Sequence, residues 1–189
     1  IFGHVVEPMQ TLTSVLAIVA GAGAVLLVAA RLLAPVSPLA ERLGGRVASW
    51  RGPITFAIAA VAMAGSLYFS ESAGYVPCRL CWFQRIAMYP IALIALVALI
   101  RRDAGARWYM VPIAVIGAGI STWHYLIEWY PTLEGDSCGL FGPSCSDLWF
   151  RTFGFVSLAF MALCGFVAII VFNTVSFGSS GHRAPREGG

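Results

Sequence analysis

The sequence predicts an all-α integral membrane protein whose chain crosses the bilayer five times, and three observations carry that expectation. The 189 residues are 59% hydrophobic and 11% charged, whereas a soluble domain carries about 25% charged residues. Five apolar runs approach or exceed the length a helix needs to cross the hydrocarbon, roughly 20 residues. Arginines gather in alternate connections between those runs. Almost no sequence lies outside the runs, so one bundle is expected. The formal net charge of +3 is small and gives no reason to expect a nucleic-acid partner.

The first span is read at 12–33. It is long for a cleavable signal peptide, has no arginine ahead of it and reaches Arg31. The chain begins at Ile1 and not at methionine, which leaves room for residues upstream. The remaining spans are read at 53–71, 82–100, 109–129 and 150–173. The tail from Phe177 is rich in Gly, Ser and Arg and is expected to be disordered. Three segments on one side hold nine arginines and three acids: Arg31 to Arg51, Arg101 to Arg107, and the tail. The other side holds Arg79, Arg85 and Arg151 against six acids. Short arginine-rich loops stay in the cytoplasm, so the expected topology is N-terminus out and C-terminus in. Trp82, Phe83, Trp123, Tyr125, Trp129, Tyr130, Trp149 and Phe150 cluster where the outer interface should lie, as an aromatic belt does.

Four of the five cysteines form two local pairs, Cys78 with Cys81 and Cys138 with Cys145, both expected on the extracytoplasmic side. Paired cysteines outside the cytosol suggest disulfide chemistry. Pro77 precedes Cys78, where a proline suits a helix start. Cys78, Cys81 and Arg85 then stand at i, i+3 and i+7 and share one helix face. A helix N-terminus carries partial positive charge, and Arg85 adds a full one, so a thiolate is favoured at Cys81. An arginine inside an apolar helix marks a functional position, with snorkelling to the surface as the plain alternative. Pro90 lies within the same span and is expected to loosen it, leaving room for a ligand beside Arg85.

Cys138 and Cys145 stand in a loop of Gly, Pro, Ser and Asp between the fourth and fifth spans, which suits a mobile redox pair or a structural staple. Zinc held by all four sulfurs is a further option, disfavoured by the oxidising setting, and no metal is expected. Cys164 lies in an apolar run and reads as packing. His124, in Trp123-His124-Tyr125, can shuttle protons or simply pack, with Glu128 one turn on as a partner.

The run Cys78-Arg79-Leu80-Cys81-Trp82-Phe83-Gln84-Arg85-Ile86-Ala87-Met88-Tyr89-Pro90, the Trp-His-Tyr at 123–125 and the loop cysteines together resemble the DsbB/BdbC family of membrane quinone-dependent thiol oxidases. The resemblance covers roughly 53–173. It implies a four-helix transmembrane bundle, here at 53–176; the additional N-terminal helix and cytoplasmic loop in 1–52 and the tail in 177–189 are read from the chain itself. It also implies a quinone, ubiquinone or menaquinone, and a soluble DsbA-like thioredoxin-fold partner. By the same resemblance Cys138 forms the mixed disulfide and Cys145 resolves it. Cys78 is the exchange partner of Cys81, which faces the quinone with Arg85 and His124 beside it. The expected location is the bacterial cytoplasmic membrane.

The chain departs from that pattern in its additional first span, in the closer spacing of its loop cysteines, and in having Val156-Ser157-Leu158-Ala159 where the last span of the family has a proline. Two rivals are a vitamin K epoxide reductase-like enzyme, in which the loop pair precedes the helix-borne pair, and a non-enzymatic scaffold whose disulfides only staple loops.

Overall fold

The structure is a computed structural model that describes residues 3–34, 37–134 and 143–175. Six α-helices account for most of them: α1 Gly3–Leu33, α2 Pro38–Ser49, α3 Arg51–Leu67, α4 Arg79–Arg101, α5 Arg107–Trp129 and α6 Leu158–Thr174. Segments containing α1, α3, α4 and α5 are long and apolar enough to cross a membrane; α6 is more apolar still but has 17 residues. Helices α3, α4, α5 and α6 form a ring, each packed on its two neighbours, and α1 lies outside it along α6. One end of the bundle carries Cys78, Cys81 and Cys145 and is called here the cysteine end. The tail expected at 177–189 lies outside the described residues.

Packing inside the ring follows membrane rules, in which small residues let backbones approach and van der Waals contact holds helices together. Gly117 of α5 faces the Phe166 ring of α6 so closely that a Cβ there would overlap it. Ile91, Ala114, Phe166 and Ile169 are fully buried in the central cluster. At the end away from the cysteines, Asn173 Nδ2 donates to Thr55 Oγ1 at 2.9 Å and to the Ile169 carbonyl at 2.8 Å, which satisfies two buried polar side chains between α6 and α3.

The elements differ from the sequence reading in three places. Helix α1 starts at Gly3, ahead of the apolar onset at residue 12, and runs through Pro8. Pro8 is the sixth residue of the helix, past the first turn, so α1 lacks one i→i−4 hydrogen bond there. The arginine-rich connection contains α2, whose Leu39, Leu43 and Val47 repeat every four residues along one exposed stripe, the pattern of an interfacial helix. The last helix begins at Leu158, not at residue 150, because Phe153 and Gly154 take positive φ values of 55° and 79° and turn the chain back. The turn is closed by Thr152 and Val156, whose N–H groups each donate to the other's carbonyl at 2.9 Å.

Candidate active site

The site is built where α4 begins. Cys78 is the N-cap of α4, with extended backbone, and its sulfur accepts the N–H of Cys81 at 3.3 Å. The cap closes the first turn and brings the Cys78 and Cys81 Sγ atoms to 2.9 Å. Cys78 is the donor of that contact and Cys81 the acceptor. The contact with Cys81 and then burial push the Cys78 thiol up to about 12, against a weaker downward pull from His124. Cys78 therefore keeps its proton at neutral pH and presents it to Cys81.

His124 of α5 completes the cluster. Gln84 Nε2 donates to its Nδ1 at 3.2 Å, which leaves the proton on Nε2. Nε2 lies 3.1 Å from the Cys145 carbonyl and 3.6 Å from Cys78 Sγ. One N–H thus serves both the helix-borne pair and the loop. Cys145 is fully buried and packs with Cys78 and Ile127, with Cys81 against the same cluster. Glu128 does not bond to His124; its carboxylate accepts the Ser157 hydroxyl at the start of α6. Cys138 lies outside the described residues.

The loop end is held by Glu134, which the sequence reading passed over as an ordinary loop acid. Its carboxylate accepts the Ser144 hydroxyl and the backbone N–H groups of Cys145 at 2.5 Å and Ser146 at 3.2 Å. Burial alone would raise this carboxyl, but these hydrogen bonds outweigh it and hold the pKa below the usual 4.5. The ends of the segment between 134 and 145 are thus clasped around one negative charge. Gln84 was also given no role; the signal was an amide at a buried position of an apolar helix, one residue before Arg85.

A cavity of about 500 Å³ opens beside the cluster. Its polar lining includes Cys81, Gln84, Arg85, Ser66 and Tyr89, and most of the wall is apolar. Arg85 Nη2 donates to the Ser66 carbonyl at 2.9 Å, just ahead of a π-helical turn at Tyr68–Ser72, and its guanidinium lies 5.2 Å from the Trp82 ring centre. The arginine therefore stays inside the bundle, fixed at the cavity edge. Phe69, Tyr75 and Trp149 stack at the cysteine end of the cavity, Tyr75 between the other two at centroid distances of 5.7 and 4.7 Å. His124 does not border this cavity; it lines a smaller cleft of about 20 Å³ on the loop side, with Cys78, Cys81 and Ser144.

Two ligand types match parts of the site. The volume and apolar lining suit a drug-sized organic molecule, and the clustered polar groups at one end suit a ring carrying carbonyl oxygens. The donor atoms of Cys78, Cys81 and His124 also lie within 4.8 Å of one another. Their 2.9 Å sulfur separation is shorter than the edge of a tetrahedral zinc–thiolate site, about 3.8 Å from Zn–S distances near 2.3 Å, and fits sulfur-to-sulfur exchange better.

A multi-pass helical bundle with sulfurs poised for exchange at one end defines a membrane thiol oxidoreductase. The profile of the family described as "Disulfide bond formation protein DsbB" matches residues 49–176, and the chain belongs to that family. It is 43% identical over 118 residues to disulfide bond formation protein C of Bacillus subtilis (strain 168), covering 62% of this chain and 86% of that one. It is 42% identical over 118 residues to probable disulfide formation protein C 2 of Bacillus anthracis, covering 62% and 84%. A probable disulfide formation protein of Oceanobacillus iheyensis is 39% identical over 126 residues, covering 66% and 86%. No solved structure gives a significant match.

Proposed function

We propose that this protein is a thiol:quinone oxidoreductase of the bacterial cytoplasmic membrane. It reoxidises a DsbA-like thioredoxin-fold partner and thereby supports disulfide formation in exported proteins. The observation that carries this reading is the position of Cys81, which belongs both to the sulfur cluster with Cys78 and Cys145 and to the wall of the 500 Å³ cavity. The arginine distribution supports a cysteine end that faces the extracytoplasmic side.

The residues divide the work. The Cys138–Cys145 disulfide takes two electrons and two protons from the partner's dithiol, and the partner leaves with its own S–S bond formed. The resulting Cys138 and Cys145 thiols hand the same two electrons and two protons to the Cys78–Cys81 disulfide and close their bond again. In the reduced helix-borne pair Cys78 holds its proton against Cys81 at 2.9 Å, so Cys81 is the sulfur that acts at the cavity. A quinone, when bound, supplies a two-electron, two-proton acceptor. Arg85 keeps a positive charge at the acceptor end, and the Phe69–Tyr75–Trp149 stack shields that end from water.

The test mixes the purified protein with a reduced thioredoxin-fold partner and a quinone and follows the quinone absorbance. Wild type should turn over, and Cys81→Ser should stay inserted and folded but inactive. Normal turnover in Cys81→Ser removes this scheme. Quinone extracted with the protein and identified by mass distinguishes ubiquinone from menaquinone.

A further inference from the structure

We infer that α1 is the wall that encloses the tail of the quinone, so that this chain selects its acceptor by the isoprenoid chain as well as by the ring. The inference rests on the quinone reading above. Helix α1 lies outside the matched residues 49–176, so the family resemblance assigns it nothing. Its placement does.

Helix α1 is seated on α6 by small residues and one polar contact. A Cβ on Gly21 would lie 3.2 Å from Cys164 Sγ, Ser14 Oγ donates to Met161 Sδ at 3.8 Å, and Ala24 and Leu27 bury against Ala168 and Phe172. Against α3, by contrast, α1 makes few close backbone approaches, and the cavity occupies the gap between them. Near the cysteine end that gap narrows where Thr13 Cγ2 comes within 3.7 Å of a Cβ position on Gly65. Thr13, Ala17, Ala20 and Gly23 recur on the cavity side of α1. At 1.5 Å per residue they give a wall about 15 Å long. Without α1, the groove between α3 and α6 would face lipid.

The cavity is also chemically graded along that wall. Cys81, Gln84, Arg85 and Ser66 lie at the cysteine end, whereas Gly23, Ile54 and Phe172 line the far end. Such a space takes a ligand with a polar head and a long apolar tail, head toward Cys81. The start of α1 is fastened over the head region: Gln10 Nε2 donates to the Tyr75 hydroxyl at 2.6 Å, and Tyr75 is the middle ring of the aromatic stack.

The experiment uses the whole chain in nanodiscs and two probes, a quinone with a full isoprenoid tail and the same ring bearing only a methyl group. Equilibrium affinity for each is measured, together with the long-tailed quinone retained per protein through purification. Ala20→Phe, which fills the tail channel, should weaken the long-tailed probe about tenfold or more and change the tail-less probe less than about twofold. Gly23→Leu, at the far end of the channel away from the head groups, should likewise weaken the long-tailed probe alone and decides the matter if Ala20→Phe does not fold. Val25→Phe, on the exposed side of α1, should leave both affinities unchanged. Equal effects on the two probes, or none, overturn the role of α1 while the quinone reading stands. Loss of co-purified phospholipid with no change in either quinone also overturns it and assigns the channel to a lipid chain. Wild type that binds neither probe defeats the quinone reading itself.

Discussion

Replacing Gly117 by alanine tests the closest packing against any described glycine. A Cβ at this position would overlap Cε1 and Cζ of Phe166, and even Cδ1 would be 2.8 Å away. Carbon atoms in ordinary contact sit about 3.5–4.0 Å apart, so the ring must retreat by roughly 1 Å. Phe166 is fully buried, with Met88, Ile91 and Ile169 in the same cluster, and it borders the cavity. Overpacking of this kind costs about 1–3 kcal/mol, enough to change the folded-to-unfolded ratio several-fold or more. Thermal unfolding in detergent should show Gly117→Ala less stable than wild type. Phe166→Leu alone should also destabilise, by loss of ring contacts, but the double variant Gly117→Ala/Phe166→Leu should be clearly more stable than the sum of the two losses predicts. Coupling of about 0.5–3 kcal/mol is the signature of residues in contact. Strict additivity, or a Gly117→Ala variant as stable as wild type, would refute the packing argument.

Two further outcomes concern the sulfurs. Glu134→Gln should loosen Cys145 at neutral pH, by roughly 1 kcal/mol once solvent screening is allowed for, seen as about fivefold faster alkylation of Cys145 in the reduced protein. Because the folded carboxyl lies below 4.5, the wild-type clasp is complete above that pH and is lost only as pH falls through the lower, folded value; amide hydrogen exchange at Cys145 and Ser146 whose protection, corrected for the intrinsic rate, is already lost near pH 6 would contradict this. In the reduced protein Cys78 should resist alkylation until the pH approaches about 12. Cys81→Ala removes the largest cause of that shift and should bring the onset down, read by mass spectrometry across a pH series; an unchanged onset would assign the effect to burial alone.

Much of this architecture is readable in the chain itself, and the misses have physical causes. The start of α4 was legible because Pro77, the thiol spacing and the apolar run agree on one helix end. The beginning of α6 was not, because Phe153, Phe155 and Val156 look like membrane residues, and only Gly154 hints at the turn. Arg85 was recognisable as anomalous from its surroundings in sequence. Its acceptor, the Ser66 carbonyl, is a backbone atom of another helix, which no residue pattern announces. Glu134 stayed hidden for a similar reason: three of the groups that bind it come from residues at least ten positions away, and two of those are main-chain N–H groups. The placement of α1 depends on how small residues on α1 and α6 interlock, which hydropathy does not encode.

The imidazole of His124 ties two elements to one proton. Its Nε2–H is shared between the carbonyl of Cys145 and the sulfur of Cys78. A substitution that displaces that carbonyl therefore hands the whole N–H to the sulfur, so the polarity felt by the α4 couple depends on how Cys145 is seated.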